Sequence, residues 1–148
     1  MQKLMVLFLL AMMTLVVGWS LPAMAAQENS YNLLKAEALK AKLENREPVY
    51  LLDIQVAKEF SEHHIPGAVA TYAYPVKTAE ELGRLDALLP QLQADGDAVV
   101  IVCPRGEGGA KRAYDHLLGR GVAAERLYIL EKGQDGWPYP ELTEKSTK

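Results

Sequence analysis

Apolar residues follow two different periods along this chain, and the two periods alternate. Over residues 33–45, leucines and alanines recur every three or four positions, which predicts a helix. Residues 49–54 and 98–103 are short and almost wholly apolar, as is typical of strands covered on both faces. Further strands are predicted at 68–74 and 126–130, and further helices at 57–62, 78–93 and 110–120.

Prolines and glycines mark where these elements end. Pro66 and Gly67 follow the helix predicted at 57–62, and Gly121 occupies the position favoured after a helix. Pro90 predicts a kink or break inside 78–93, because proline lacks the N–H that a helix interior requires.

Strands that alternate with helices indicate an α/β fold with a mostly parallel central sheet and helices on both faces. Ligands of such sheets bind beyond the carboxyl ends of the strands. A length of 148 residues suits one core. We therefore predict one domain at 33–140, with a short tether at 27–32 before it and a polar tail at 141–148, frayed from Glu144.

Residues 1–26 have the features of a signal peptide. Lys3 precedes an apolar run at 4–17, and Ala23-Met24-Ala25 presents small residues where a signal peptidase cleaves. The run is shorter than the ~20 residues of a membrane-spanning helix. We expect export to the periplasm without membrane insertion after cleavage; secretion and an uncleaved anchor are the alternatives.

Charge and cysteine content narrow the function. The formal net charge of -3 and the lack of a basic stripe argue against a nucleic-acid partner. Cys103 is the single cysteine, so no internal disulfide can form even in an oxidising compartment. A lone thiol retained after export points to a chemical role.

The residues after Cys103 predict a site for a negatively charged group. A glycine-rich loop leads from the strand into a helix, so loop amides and the unpaired N–H groups of the helix start can converge on the sulfur. Such a cradle stabilises a thiolate or a persulfide, and it would also accept phosphate. A buried core cysteine is the structural alternative. The predicted cradle consists of Pro104, Arg105, Gly106, Glu107, Gly108, Gly109 and Ala110.

Three segments, in order over residues 33–138, resemble rhodanese-like domains. The first contains an aspartate-ended strand and a His-Ile-Pro-Gly-Ala turn, the second the cysteine strand with its loop, and the third a closing glycine–tryptophan segment. These segments are Leu51-Leu52-Asp53-Ile54 with Glu59-Phe60 and His64-Ile65-Pro66-Gly67-Ala68, then Val99-Val100-Ile101-Val102-Cys103, then Leu130-Glu131-Lys132-Gly133 with Trp137.

The resemblance implies a three-layer rhodanese-like fold and sulfurtransferase activity without a metal or an organic cofactor. Cys103 is then the catalytic residue, which accepts sulfane sulfur from thiosulfate, polysulfide or a protein persulfide. The acceptor is a thiol, for which a thioredoxin-like protein is one candidate, or cyanide. Asp53, His64 and Trp137 are expected to be structural, with His64 capping the turn after it. A general base is the alternative role for Asp53.

The resemblance also has departures. Many active members carry an arginine directly after the cysteine and often a second late in the loop, where this chain has Pro104 and a glycine. Glu107 adds an acid, and Gln55 stands where an arginine is common. One arginine and one glutamate make a poor site for a dianion, so we expect persulfide or polysulfide donors at least as much as thiosulfate.

Other interpretations remain open from the sequence. A cysteine phosphatase or arsenate reductase would need an arginine six residues after the cysteine, where this chain has Gly109. A catalytically idle binding or sulfur-carrier module is the other alternative. His63 and His64 are adjacent and have no evident third ligand, so a metal site is not expected. Lys111 and Arg112 open the helix after the loop and could aid anion attraction, although the solvated surface is the expected place for each. His116 is expected to be a solvated or packing residue far from the cradle.

Overall fold

The structure, a computed structural model, describes residues 30–146. Within these residues, five parallel strands form one sheet in the order β1-β5-β4-β2-β3. The longest pairing joins β4 to β2, and β5 lies on the other side of β4, so β4 is central. The strands are β1 (Leu33–Leu34), β2 (Val49–Asp53), β3 (Val69–Ala70), β4 (Ala98–Val102) and β5 (Leu127–Leu130).

Helices cover both faces of this sheet. Side chains of β4 alternate between two apolar clusters, because successive residues of a strand point to opposite faces. One cluster includes helices α3, α4 and α5, and the other includes α1 and Trp137. The predicted α/β fold is therefore confirmed. The helices are α1 (Ala36–Glu44), α2 (Ala57–Glu62), α3 (Ala79–Asp86), α4 (Leu89–Ala94) and α5 (Gly108–Gly119).

The predicted break at Pro90 is confirmed. The segment forms α3 and α4 instead of one helix, and Pro90 lies in the first turn of α4, where its missing N–H is tolerated. Thr78 starts α3 with a capping box, in which its hydroxyl accepts the Glu81 N–H and the Glu81 carboxylate accepts the Thr78 N–H.

Two predicted elements differ from the structure. Leu33 and Leu34 form an edge strand beside β5 and are not the start of α1. Their pairing partners, Ile129 and Leu130, lie far along the chain, and this tertiary pairing overrides a helical pattern. In the predicted strand 68–74, only Val69–Ala70 pairs as β3.

The segments at both ends of the described residues make hydrogen bonds to the rest of the domain. Asn32, expected in the tether, donates its side-chain amide to the carbonyls of Ala124 and Leu127. Glu144, expected in a frayed tail, forms an antiparallel bridge with His64. The predicted signal peptide lies outside the described residues. Within 30–146, no helix combines the length and apolar character needed to cross a membrane.

Candidate active site

Cys103 directly follows the central strand β4 at the carboxyl edge of the sheet. Its side chain is nearly buried, with 2% of the residue exposed. The backbone N–H of Gly106 donates a hydrogen bond to the Cys103 Sγ over 2.8 Å. The sulfur is therefore placed where parallel sheets bind ligands, with an amide directed at it.

A second turn, residues 131–136 after β5, hydrogen-bonds to the loop that follows Cys103. The N–H of Gln134 donates to the Cys103 carbonyl at 2.8 Å, and the N–H of Asp135 donates to the Pro104 carbonyl at 2.9 Å. Gly106 and Gly133 both have positive φ, at +73° and +59°. A Cβ on Gly106 would lie 2.7–2.9 Å from backbone atoms of the second turn, so the close packing of the two loops requires glycine.

The helix after the loop begins earlier than predicted. Helix α5 starts at Gly108 instead of Ala110, and the Lys111 N–H makes its first bond back to the Glu107 carbonyl, at 3.1 Å. The N–H groups of Gly108, Gly109 and Ala110 thus precede the first intrahelical bond, and such groups have no acceptor inside a helix. They give the site the partial positive charge of a helix amino terminus.

A cavity of about 80 Å³ opens over the cysteine. It is much smaller than the roughly 300–1,000 Å³ of a typical small-molecule pocket, so it suits an added sulfur atom and a small anion. The predicted cradle residues divide between its lining and its support: Gly106 contributes its amide, and Pro104 and Ala110 are buried beside it. The lining residues are Tyr74, Cys103, Arg105, Glu107, Gly108, Gly109 and Arg112.

Two residues of the lining, Tyr74 and Arg112, lie outside the predicted cradle. Arg112, for which anion attraction was the alternative to a place at the solvated surface, is half-buried and lines the cavity. Helical spacing is the signal that could have found it, because Arg112 lies four residues after Gly108 and so shares its face of α5. Tyr74 reaches the site from the segment after β3, where its N–H donates to the Ile54 carbonyl at 2.8 Å. No local pattern in the sequence marks that approach.

Asp53 does not line the cavity. It is fully buried at the end of β2, where its Oδ1 accepts the Gln55 N–H at 2.8 Å and its Oδ2 accepts the Gln55 Nε2 at 3.0 Å. Burial raises the pKa of the Asp53 carboxyl to about 6, against the lowering effect of these bonds. Gln55 thus provides neutral hydrogen bonds to a buried acid and also bonds the His63 carbonyl at 3.3 Å.

His64 and Trp137 also lie away from the sulfur. His64 stacks on Phe60, and its Nδ1 bonds the Phe60 carbonyl at 2.8 Å, so it caps the end of α2 instead of the turn after it. The Trp137 Nε1 donates to the Leu142 carbonyl at 3.0 Å while its ring packs in the core. Within residues 30–146, no three His, Cys, Asp or Glu side chains are grouped as metal ligands.

Lys111 and His116 lie on α5 outside the cavity lining. Lys111 is exposed, and its ammonium lies 5.4 Å from the Tyr31 ring centroid, away from the cavity lining. His116 is half-buried, with its Nε2 2.7 Å from the Asp86 carboxylate. His116 is thus a packing residue of α5 that hydrogen-bonds to a carboxylate on α3, one of the two roles expected for it.

Fold and site together define a class of protein: an α/β domain with a cysteine at the carboxyl end of its central parallel strand, inside an amide-lined loop. The family model described as a rhodanese-like domain matches residues 35–138. The chain belongs to the rhodanese-like domain family.

Solved structures with this fold include proteins of different activities. An As-Sb reductase from Leishmania major aligns with a TM-score of 0.62 and 16% identity, over 80% of this chain and 88% of that one. A rhodanese-like domain protein from Staphylococcus aureus aligns at 0.56 and 22%, over 78% and 99%. Thiosulfate sulfurtransferase from Pseudomonas aeruginosa aligns at 0.58 and 19%, over 79% of this chain and only 20% of that one.

These similarities establish the fold, and at such identities they do not assign an activity. Comparison with curated protein sequences gives no match.

Proposed function

We propose that the protein is a sulfurtransferase in which Cys103 carries sulfane sulfur as a persulfide. The observation that carries this proposal is the Gly106 N–H directed at the Cys103 Sγ, at 2.8 Å, beneath a cavity of about 80 Å³. The sulfur is held by an amide and still has room beside it for one further atom and a small donor.

The reaction has two steps, sulfur uptake by Cys103 and sulfur release to an acceptor. The Cys103 thiolate attacks the sulfane sulfur of a donor such as thiosulfate; a new S–S bond forms, the donor S–S bond breaks, and sulfite leaves with the electron pair. An acceptor thiolate or cyanide then attacks the outer sulfur of the persulfide. The Cys103 thiolate is released as the leaving group, and a new persulfide or thiocyanate is the product.

The surroundings of the sulfur suit each charged state of this cycle. Thiolate and persulfide are both anions, and the Gly106 N–H and the amino terminus of α5 present positive charge to them. Arg105 at the exposed rim adds a cation, and Glu107 opposes it. The chain supplies binding and electrostatics, and the sulfur compounds supply the reactive bonds.

Two further parts of the proposal come from the sequence. We propose a thiol acceptor, with a thioredoxin-like protein as one candidate, because Cys103 has no second thiol in the chain to receive its sulfur. Residues 1–26 support export to the periplasm.

The test is mass spectrometry of the purified protein after incubation with thiosulfate or polysulfide. We expect the mass of one sulfur atom on Cys103, its removal by cyanide and the release of thiocyanate. Cys103→Ser is the matched control, because it keeps a small polar side chain at the same site and should show neither adduct nor product.

The same experiment separates the alternatives. An absence of adduct from every donor would favour an idle binding module. Hydrolysis of an aryl phosphate without an adduct would favour a phosphatase, although Gly109 occupies the position at which that chemistry needs an arginine.

A further inference from the structure

Arg112 reaches the cavity from helix α5, and its guanidinium is held in place. The Nε bonds the carbonyl oxygens of Pro75 and Val76 at 3.0 and 3.2 Å, and the Nη2 bonds the Pro75 carbonyl at 2.7 Å. These neutral acceptors fix the group without neutralising its charge. Among residues 30–146, no protein atom accepts a hydrogen bond from the Nη1.

The Nη1 lies beside Gly108, at the rim of the loop. A Cβ on Gly108 would lie 3.1 Å from the Arg112 Nη1, so the guanidinium fills the space that a side chain at position 108 would need. A glycine at 108 thus allows a cation from the next helical turn to reach the cavity mouth. Both residues line the same cavity as Cys103.

We propose that Arg112 is a donor-recognition residue: its Nη1 binds the anionic end of the sulfur donor while the sulfane sulfur meets Cys103. This inference rests on the proposed sulfurtransferase function. The chemistry it recognises is a small sulfur-bearing anion, such as the sulfonate end of thiosulfate or the terminal sulfur of a polysulfide. A fixed guanidinium with a free donor group suits this task, because little rotamer freedom is lost on binding.

The charge of the cavity lining supports this role. Arg105 and Glu107 carry opposite charges, so they contribute little net attraction for an anion. Arg112 adds a second cation to the lining, which offsets the negative charge of the Cys103 thiolate.

A first test measures the charge at the sulfur without requiring turnover. Iodoacetate and iodoacetamide both alkylate a thiolate, and they differ in the negative charge of the first. In Arg112→Met, the ratio of the iodoacetate rate to the iodoacetamide rate at Cys103 should fall by about three- to tenfold. Arg112→Lys should retain part of the ratio, since it keeps the charge without the forked geometry.

Lys111→Met is the matched control. It removes one positive charge from the adjacent position of the same helix, where the side chain lies near Tyr31 and outside the cavity lining. Its alkylation ratio should equal that of the natural protein. An equal fall in both variants would show that only general charge matters, and it would overturn the role of Arg112.

A second test uses the proposed reaction. Arg112→Met should raise KM for thiosulfate or polysulfide by about tenfold, with a smaller change in kcat. An active variant with unchanged KM would contradict donor recognition. If the natural protein takes sulfur from no donor, the sulfurtransferase proposal fails instead, and the alkylation ratio still decides whether Arg112 provides an anion site. Because each ratio is taken within one variant, altered stability does not produce the expected result.

Discussion

The ring of Tyr74 lies directly against Gly109, where a Cβ would stand 2.8 Å from the nearest ring carbon and 3.4 Å from the Ile54 Cδ1. Any side chain at position 109 must therefore displace the ring that forms one wall of the cavity. This includes an arginine, which phosphatase chemistry would need at this position. Tyr74 and Gly109 together keep the site small and argue against the phosphatase alternative.

Gly109→Ala should lower the free energy of unfolding by about 1–3 kcal/mol, because the new methyl group overpacks against the Tyr74 ring. Urea denaturation measures this loss, and sulfur loading of Cys103 should fall with it. Gly83→Ala is the control, because a Cβ at this exposed helical position would meet nothing within 4 Å. It should raise the free energy of unfolding by up to about 1 kcal/mol. In a Tyr74→Ala background, Gly109→Ala should have little further effect. An undiminished loss there would show that the ring is not the obstacle.

Gly133→Ala should destabilise the protein more than Gly67→Ala does. Both glycines have positive φ, but a Cβ on Gly67 meets nothing within 4 Å, so its substitution carries only backbone strain of about 1–2 kcal/mol. A Cβ on Gly133 would collide with the Cys103 carbonyl and lie 2.7 Å from the Arg105 nitrogen. Thermal unfolding should show that Gly133→Ala lowers the free energy of unfolding by about 1–3 kcal/mol more than Gly67→Ala does. Equal losses would contradict the close contact of the two loops.

Asp53 should make stability fall as the pH rises from about 4 to about 6. Burial raises the pKa of its carboxyl from 3.8 to about 6 in the folded protein, so the folded state binds the proton more tightly than the unfolded state does. Its favourable contribution is complete below pH 4 or so and is lost by about pH 6, a change of up to about 3 kcal/mol.

Asp53→Asn should flatten this pH dependence, because the asparagine side chain does not titrate. Urea unfolding at a series of pH values measures the slope, and Asp95→Asn, at the exposed end of α4, should keep the slope of the natural protein. A slope unchanged in Asp53→Asn would mean that the carboxyl does not retain its proton in the folded state.

Access to Cys103 should depend on reagent size. With only 2% of the residue exposed beneath a cavity of about 80 Å³, the thiol should react with iodoacetamide but far more slowly with a bulky maleimide. Tyr74→Ala should speed the maleimide reaction more than the iodoacetamide reaction, because it removes one wall of the cavity. Intact-protein mass spectrometry gives both rates, and equal acceleration of the two reagents would show that Tyr74 does not limit access.

By itself, the sequence determined the features that depend on neighbouring residues. The apolar run of β4, the break at Pro90 and the glycine loop after Cys103 all follow from local sterics and hydrogen bonding, which a short segment expresses wherever it lies. The order of strands and helices then implied a parallel sheet, and hence a site at the end of β4.

Only the tertiary structure decided which distant residues meet at that site. Tyr74 and Arg112 line the cavity because the segment after β3 packs against α5, and Leu33 and Leu34 become a strand because β5 offers them unpaired backbone groups. These contacts join positions tens of residues apart. Their energy comes from packing and pairing between elements, which no local pattern in the chain records.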